Sequence, residues 1–396
     1  MKMSFELRNK PTLFDSFFKP FSRRGALMLA HRQARIYRML TVMAGAAGYL
    51  FLLLFPTLLI SMPVVLYYSL QPVMSHMQWF LVTVEALSLL IGIVVTYAII
   101  AMRFSLPSGL ELTEARFPRL FELLQELGDI YGGPRIDRVV LRDRCVVRIV
   151  KTPCNGFAFS TTRTLIIGLP VLLAMSPLDV HVLLARRVGQ LAGKGRRLNS
   201  WLYSLRDMWD QYVSSCITRL PMFARPVRSF FQSYAPFYRS FSVGVARSSE
   251  LDADLYALQA INDRDVARGI TCQALTEAYL CRTYWPGVLE TGVSGRPESL
   301  PHAGMAEVFE HGLSDDDVQT MLERVNKRKK GRKSAVPSLA ERLENIGHRQ
   351  PLLPKPLPVT AARFYLGGAY DRCIEIIDKR SVQKVRSKVI KAFGTC

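Results

Sequence analysis

Between Met39 and Met102 the chain carries no lysine or arginine and a single acid, Glu85, although basic residues are frequent on both sides. A helix needs about 20 apolar residues to cross the hydrocarbon core of a bilayer. This interval holds two such runs, about 39–66 and about 79–102, and so predicts a two-helix transmembrane hairpin. Pro56 and Pro63 fall inside the first run, where they predict a kink. Glu85 lies a few residues into the second run. A carboxylate there either marks function or, being near a helix end, reaches the interface or is protonated.

Charge gives the hairpin an expected orientation. Residues 1–38 hold nine Lys or Arg against Glu6 and Asp15, Arg103 follows the second run, and the linker 67–77 has no Lys or Arg. The positive-inside rule then places the basic leader, 1–38, and everything after residue 102 in the cytoplasm, with the hairpin in an inner (cytoplasmic) membrane. A leader of this length without a small-residue cleavage site argues against a removed signal peptide. Seven cysteines, an odd number with no C-x-x-C, argue against both a disulfide framework and a cysteine zinc site. They fit a reducing compartment. Lys and Arg outnumber Asp and Glu by 52 to 32, which favours anionic partners such as membrane lipids, nucleic acid or acidic proteins.

Beyond the hairpin the pattern is mainly helical with a small sheet. Phe117, Leu120, Leu124 and Leu127 share one face of a helix expected over 112–130, ended by Gly132, Gly133 and Pro134. Short β-like runs follow at 138–141, 145–150, 157–159 and 165–167. Next comes a helix with clear ends: Ser176 as cap, Pro177 in the first turn, Asp179 three residues after the cap, and Gly193 as stop. Further helices are expected at about 269–284, 314–326, 338–346 and 360–392. Aromatics and arginines interleave between Trp201 and Phe241, a mixture suited to a membrane interface, an ordinary core with a polar rim, or stacking on single-stranded nucleic acid. No uninterrupted apolar run there predicts a third span. The basic loop 327–333 is either a solvated loop or an attractant for anionic lipid. The proline-rich segment 351–358 reads as a stiff linker into a C-terminal helical segment ending at 396.

Within the 176–193 helix, Arg186 and Gln190 are spaced i, i+4 and share a face, with Arg187 one step round. That is the layout of H-E-x-x-H with its three chemical residues exchanged, though a polar surface helix can mimic the register. The surroundings matter here: Asn155, Gly156, Phe157, Ala158 and Phe159 lie upstream, Glu250-Leu-Asp-Ala-Asp254 about sixty residues downstream, and Val336-Pro-Ser-Leu-Ala-Glu-Arg-Leu343 later still. In this order the segments resemble the integral-membrane zinc metallopeptidases of the CAAX prenyl endopeptidase and heat-shock membrane protease type, over roughly residues 110–345. The resemblance implies an α+β, mainly helical, zincin-like (gluzincin) domain over 103–350. It also implies a peptide-binding edge strand at 155–159, a third zinc ligand at Glu250, an orienting carboxylate at Asp254, and a histidine where Val336 stands.

The departures fall on the catalytic positions. A guanidinium has no lone pair to offer and stays protonated at any usable pH, so Arg186 and Arg187 can be neither ligand nor base. His31, His76, His181, His302, His311 and His348 include no pair at i, i+3 or i, i+4, and His181 sits about 140° round the helix from Arg186. No cofactor is therefore expected, zinc only if the family activity were retained. Without a metal, Glu250 and Asp254 would be costly buried anions. An ion pair from Arg186 or Arg187 to Glu250 or Asp254 is expected in its place. The expected function is that of an inactive pseudopeptidase binding a peptide or protein partner, such as another membrane protein or a protease. The alternatives are an active zinc-dependent metalloendopeptidase and a basic membrane-surface or nucleic-acid adaptor, nucleic acid being the least favoured partner.

Overall fold

A computed structural model describes residues 23–70, 78–193, 197–217, 221–288, 301–327, 336–352 and 359–393. Residues 1–22 of the leader, 71–77 of the hairpin linker, 328–333 of the basic loop and 353–358 of the proline-rich segment lie outside the described residues. In chain order the elements are α1 (Arg23–Arg32), α2 (Ala34–Leu70), α3 (Gln78–Ile100), β1 (Arg103–Phe104), β2 (Leu110–Leu112), α4 (Pro118–Tyr131), β3 (Arg138–Arg142), β4 (Val147–Pro153), β5 (Thr161–Gly168), α5 (Leu169–Ala174) and α6 (Pro177–Ala192). They continue with α7 (Arg197–Ser214), β6 (Cys216–Ile217), α8 (Pro221–Phe241), α9 (Val243–Ala257), α10 (Asp263–Tyr279), α11 (Pro301–His311), α12 (Asp315–Lys327), α13 (Leu339–Asn345), α14 (Ala361–Leu366) and α15 (Tyr370–Phe393). The fold is mainly helical with small sheets.

The chain divides into two units, each assembled from separate stretches. The first comprises Met1–Leu106, Lys151–Thr162 and Trp201–Val245. Here α2 and α3 are both long and apolar enough to cross a membrane. They pack where Gly92 leaves no room for a side chain, since a Cβ there would lie 2.6 Å from Ile60 Cγ1. The first apolar run belongs to a helix longer than a single crossing needs. α2 has 37 residues and continues through both prolines, giving it about 55 Å. Its first half is notched by Gly45 and Gly48, where a Cβ would meet Leu205 Cδ1 at 2.8 Å and Trp209 Cζ2 at 2.7 Å. Trp209, Tyr212, Phe231, Tyr234 and Tyr238 are buried in that packing, and Phe230 stacks on Phe51 at 3.8 Å between centroids. Much of the aromatic stretch therefore forms core, because glycines on α2 let flat rings approach its backbone. A two-stranded ribbon, β1 antiparallel to β6, completes this unit.

The second unit comprises Pro107–Val150, Arg163–Ser200 and Ala246–Cys396. Its sheet has the order β2-β3-β5-β4, with β2 antiparallel and β5 parallel to β3. Leu165, Ile166 and Ile167 are all buried, as expected of a strand covered on both faces. The segment 155–159 expected as a strand is instead the connection between β4 and β5. Ala158 takes a left-handed conformation (φ 58°), and a Cβ on Gly156 would lie 2.1 Å from the Ile99 carbonyl oxygen. So close a backbone approach leaves no space for an extended ladder. Nor does the C-terminal segment form a domain apart. Ala361 N donates to Met175 O at 2.8 Å, and Asp378 of α15 accepts the backbone N–H groups of His302 and Ala303 at the start of α11. The helix expected over 360–392 is broken at Gly367 into α14 and α15.

Candidate functional site

The site is built on α6, and the sequence explains both ends of that helix. Ser176 Oγ accepts from Asp179 N at 3.1 Å, Asp179 Oδ2 accepts from Ser176 N at 3.3 Å, and Gly193 closes the helix in the left-handed region (φ 58°). Arg268 Nε also donates to Asp179 Oδ1 at 3.0 Å, so the cap carboxylate is held from α10 as well. In the middle of α6, a Cβ on Gly189 would fall 2.5 Å from Tyr256 Cβ. This glycine lets α9 cross α6 at close range. Glu250 and Asp254, one turn apart on α9, thereby face the turn of α6 that carries Arg186 and Arg187.

The structure brings all four charged residues together. Arg186, with 1 % of its side chain exposed, donates from Nε to Asp254 Oδ1 at 2.5 Å and from Nη2 to Glu250 Oε2 at 3.4 Å. Arg187 Nη1 donates to Glu250 Oε1 at 2.8 Å and to Gln190 Oε1 at 2.9 Å, while its Nε donates to the carbonyl of Val147 on β4 at 2.9 Å. Gln190 in turn donates from Nε2 to Ser249 Oγ at 2.8 Å. A third guanidinium belongs to the cluster: Arg342 of α13 grips Asp254 with Nε to Oδ2 and Nη2 to Oδ1, both 3.0 Å. Gln273 Oε1 accepts from Arg186 Nη1 at 3.3 Å. Asp254 is thus the hub of the cluster, accepting from two arginines on two helices.

Three cations against two anions in a buried place set the electrostatics. Burial pushes the Glu250 carboxyl up, but Arg187 and Arg186 outweigh it and hold the group down at about 2. Burial pushes the Arg186 guanidinium down to about 10, with Arg342 and Arg187 acting in the same direction and Asp254 and Glu250 opposing. Each shift corresponds to about 3 kcal/mol, of opposite sign for stability at neutral pH. Burial and pairing thus oppose each other at both groups, and removing a member is costly where it leaves an opposite charge unpaired.

A zinc ion does not fit these residues. The positions where the resemblance implies ligands hold a guanidinium, which has no lone pair, and an amide whose oxygen is taken by Arg187 and whose nitrogen donates to Ser249. Both oxygens of Glu250 are engaged by arginine. Among the described residues no three His, Cys, Asp or Glu side chains are grouped to hold a metal. Arg186 and Arg187 stay cationic, so neither can act as a general base, and both carboxylates of the site are held by guanidinium groups.

Other expected site residues fall elsewhere. Asn155, Gly156, Phe157, Ala158 and Phe159 are loop residues of the first unit, where Tyr212 donates to Gly156 O at 2.6 Å. Val336 is 43 % exposed, just ahead of the Ser338–Glu341 capping box that starts α13. Glu341 is also paired with Arg247. His181, at a half-buried position on α6, has no hydrogen-bond partner for Nε2 among the described residues. Glu85, with Ser88, borders an apolar cleft of about 390 Å³ between α2 and α3. Arg342 was legible as part of the 336–343 segment, yet nothing in its spacing tied it to Asp254. Comparisons with protein-family models, curated proteins and solved structures find no match for the chain.

Proposed function

We propose that the chain is a membrane-anchored protein of the zinc metallopeptidase type it resembles, with a zincin-like domain whose metal centre has been replaced by an arginine–carboxylate cluster. In this role it binds a peptide or protein partner and does not cleave it. One observation carries the proposal: the Glu-x-x-x-Asp face of α9 meets the Arg-Arg-x-x-Gln face of α6, with guanidinium groups bonded to both carboxylates. The charge that a divalent ion would supply is supplied by protein, so the scaffold keeps its closed packing without metal. In the metallopeptidases the chain resembles, water is activated by the metal and a glutamate base, and the guanidinium of Arg187 at the base position cannot take a proton. The partner is not gripped by simple strand addition at the start of β4, because a peptide there must displace Arg187 from Val147 O.

Anchorage rests on α2 and α3, and orientation on the basic residues 1–38 and Arg103 against a linker without them, which favours an inner membrane with the rest of the chain cytoplasmic. The test is the metal content of the detergent-purified chain beside an Arg186→His, Arg187→Glu, Gln190→His revertant. The expected result is no zinc in the native chain and about one zinc per revertant chain. Stoichiometric zinc in the native chain, abolished by Glu250→Ala, would overturn the metal-free reading and favour the alternative of an active zinc-dependent metalloendopeptidase. No zinc in either chain would remove the zincin-like scaffold and leave the basic adaptor.

A further inference from the structure

Two arginines of the first unit share a pocket without an acid. Arg225 and Arg228 of α8, together with Met102, Tyr212, Cys216 and Val227, line a cavity of about 130 Å³. Among the described residues Arg225 makes no hydrogen bond or ion pair, and Arg228 only donates from Nη2 to Val213 O at 3.4 Å. Both arginines are exposed, while Met102 and Tyr212 beside them are buried. Two arginines lining one small cavity suit a tetrahedral oxyanion, which can take two parallel N–H bonds from a guanidinium fork.

The place of this pocket along α3 says where that anion comes from. α3 has 23 residues, about 35 Å, enough to cross the hydrocarbon core and end just beyond it. Met102 follows its last turn, and Arg103 is exposed immediately after. The pocket therefore opens one turn past the end of the span, at the depth of lipid phosphates. Exposed apolar side chains lie on the segments joined to Arg103 and at the start of α8. Ile217, the ribbon partner of Arg103, is 59 % exposed, Met222 is 69 % exposed, and Phe159 is 70 % exposed on the loop whose Cys154 carbonyl accepts from Arg103. In water three such side chains around a cationic pocket are unfavourable. Against a bilayer they are immersed while the arginines stay at the headgroups.

We propose that Arg225 and Arg228 bind the phosphate of an anionic phospholipid in the leaflet at the C-terminal end of α3, with Ile217, Met222 and Phe159 immersed beside it. This rests on the membrane anchorage proposed above. The test uses the full-length chain in neutral detergent. Native mass spectrometry compares phosphatidylglycerol with phosphatidylcholine of the same acyl chains, and alkaline extraction of membranes is run on every variant. The expected result is preferential retention of phosphatidylglycerol, weakened about fivefold by Arg225→Ala or Arg228→Ala and about 25-fold by both, and only partly kept in the double lysine variant, which has the charge without the fork. Soluble glycerol 3-phosphate is expected not to compete at millimolar concentration. Equal competition would mark a soluble-phosphate site and overturn the lipid assignment. If the chain resists alkaline extraction but binds both lipids alike, with the variants unchanged, the lipid site falls and the anchorage stands. Release of the native chain by alkali would sink both.

Discussion

Replacing Asp254 by leucine is expected to destabilise the chain more than replacing Arg186 by methionine, although the two side chains face each other at 2.5 Å. The difference follows from what each substitution leaves behind. Without Arg186, Asp254 keeps both bonds from Arg342 at 3.0 Å and Glu250 keeps Arg187 at 2.8 Å, so no anion is abandoned and three cations against two anions become two against two. The loss is then that of charge-assisted hydrogen bonds, about 2 kcal/mol. Without Asp254, Arg186 and Arg342 lose three bonds between them, and three buried cations face the single charge of Glu250. One-sided loss from a buried pair costs about 3–5 kcal/mol, and the surplus positive charge puts this case at the upper end. The gap of about 3 kcal/mol corresponds to about 3–4 °C in melting temperature for a chain of this size. Denaturant titration of both variants and of the Arg186→Met, Asp254→Leu double variant, in one detergent, measures it. The double variant is expected to be less destabilised than the sum of the two, by at least about 1 kcal/mol. An Arg186→Met cost equal to or above that of Asp254→Leu would refute the assignment of Asp254 as the hub.

Glu250 gives a pH signature. Its folded-state value of about 2 lies below the ordinary 4.5, so its contribution is fully present above about pH 4.5 and is lost as pH falls towards 2, about 3 kcal/mol in all. Acid titration of stability should therefore steepen in that window in the native chain and flatten in Glu250→Gln; an unchanged slope would mean the carboxylate is not held by Arg186 and Arg187. Gly189→Val puts a side chain where even a Cβ lies 2.5 Å from Tyr256 Cβ, forcing α6 and α9 apart, and at least about 1–3 kcal/mol of destabilisation is expected by chemical denaturation. Gly48→Val similarly displaces Trp209 from α2, and a red-shifted tryptophan emission together with a similar loss of stability is the expected readout. Ser176→Ala removes the acceptor for Asp179 N and is expected to lower stability by about 0.5–2 kcal/mol, checked by the same titration.

Two apolar stretches, the ends of α6 and the charged faces at 186–190 and 250–254 were legible in the chain as written. Each depends on local chemistry: apolar runs report their own solvent, Ser176 and Gly193 report helix ends, and i, i+4 spacing reports a shared face. From those alone followed the demand that buried Glu250 and Asp254 find cations. Tertiary structure decided which cations, and how many. Arg342 reaches Asp254 because α13 packs against α9, a contact 88 residues distant in sequence that no periodicity encodes. The same holds for 155–159, whose apolar residues suited a strand until the approach of Gly156 to the Ile99 carbonyl made a loop of them. It holds also for the first half of α2, apolar enough for lipid by composition but packed against Trp209 and Phe230 through Gly48 and Phe51. Composition states what solvent a segment avoids. Only the fold determines whether lipid or protein takes the place of water.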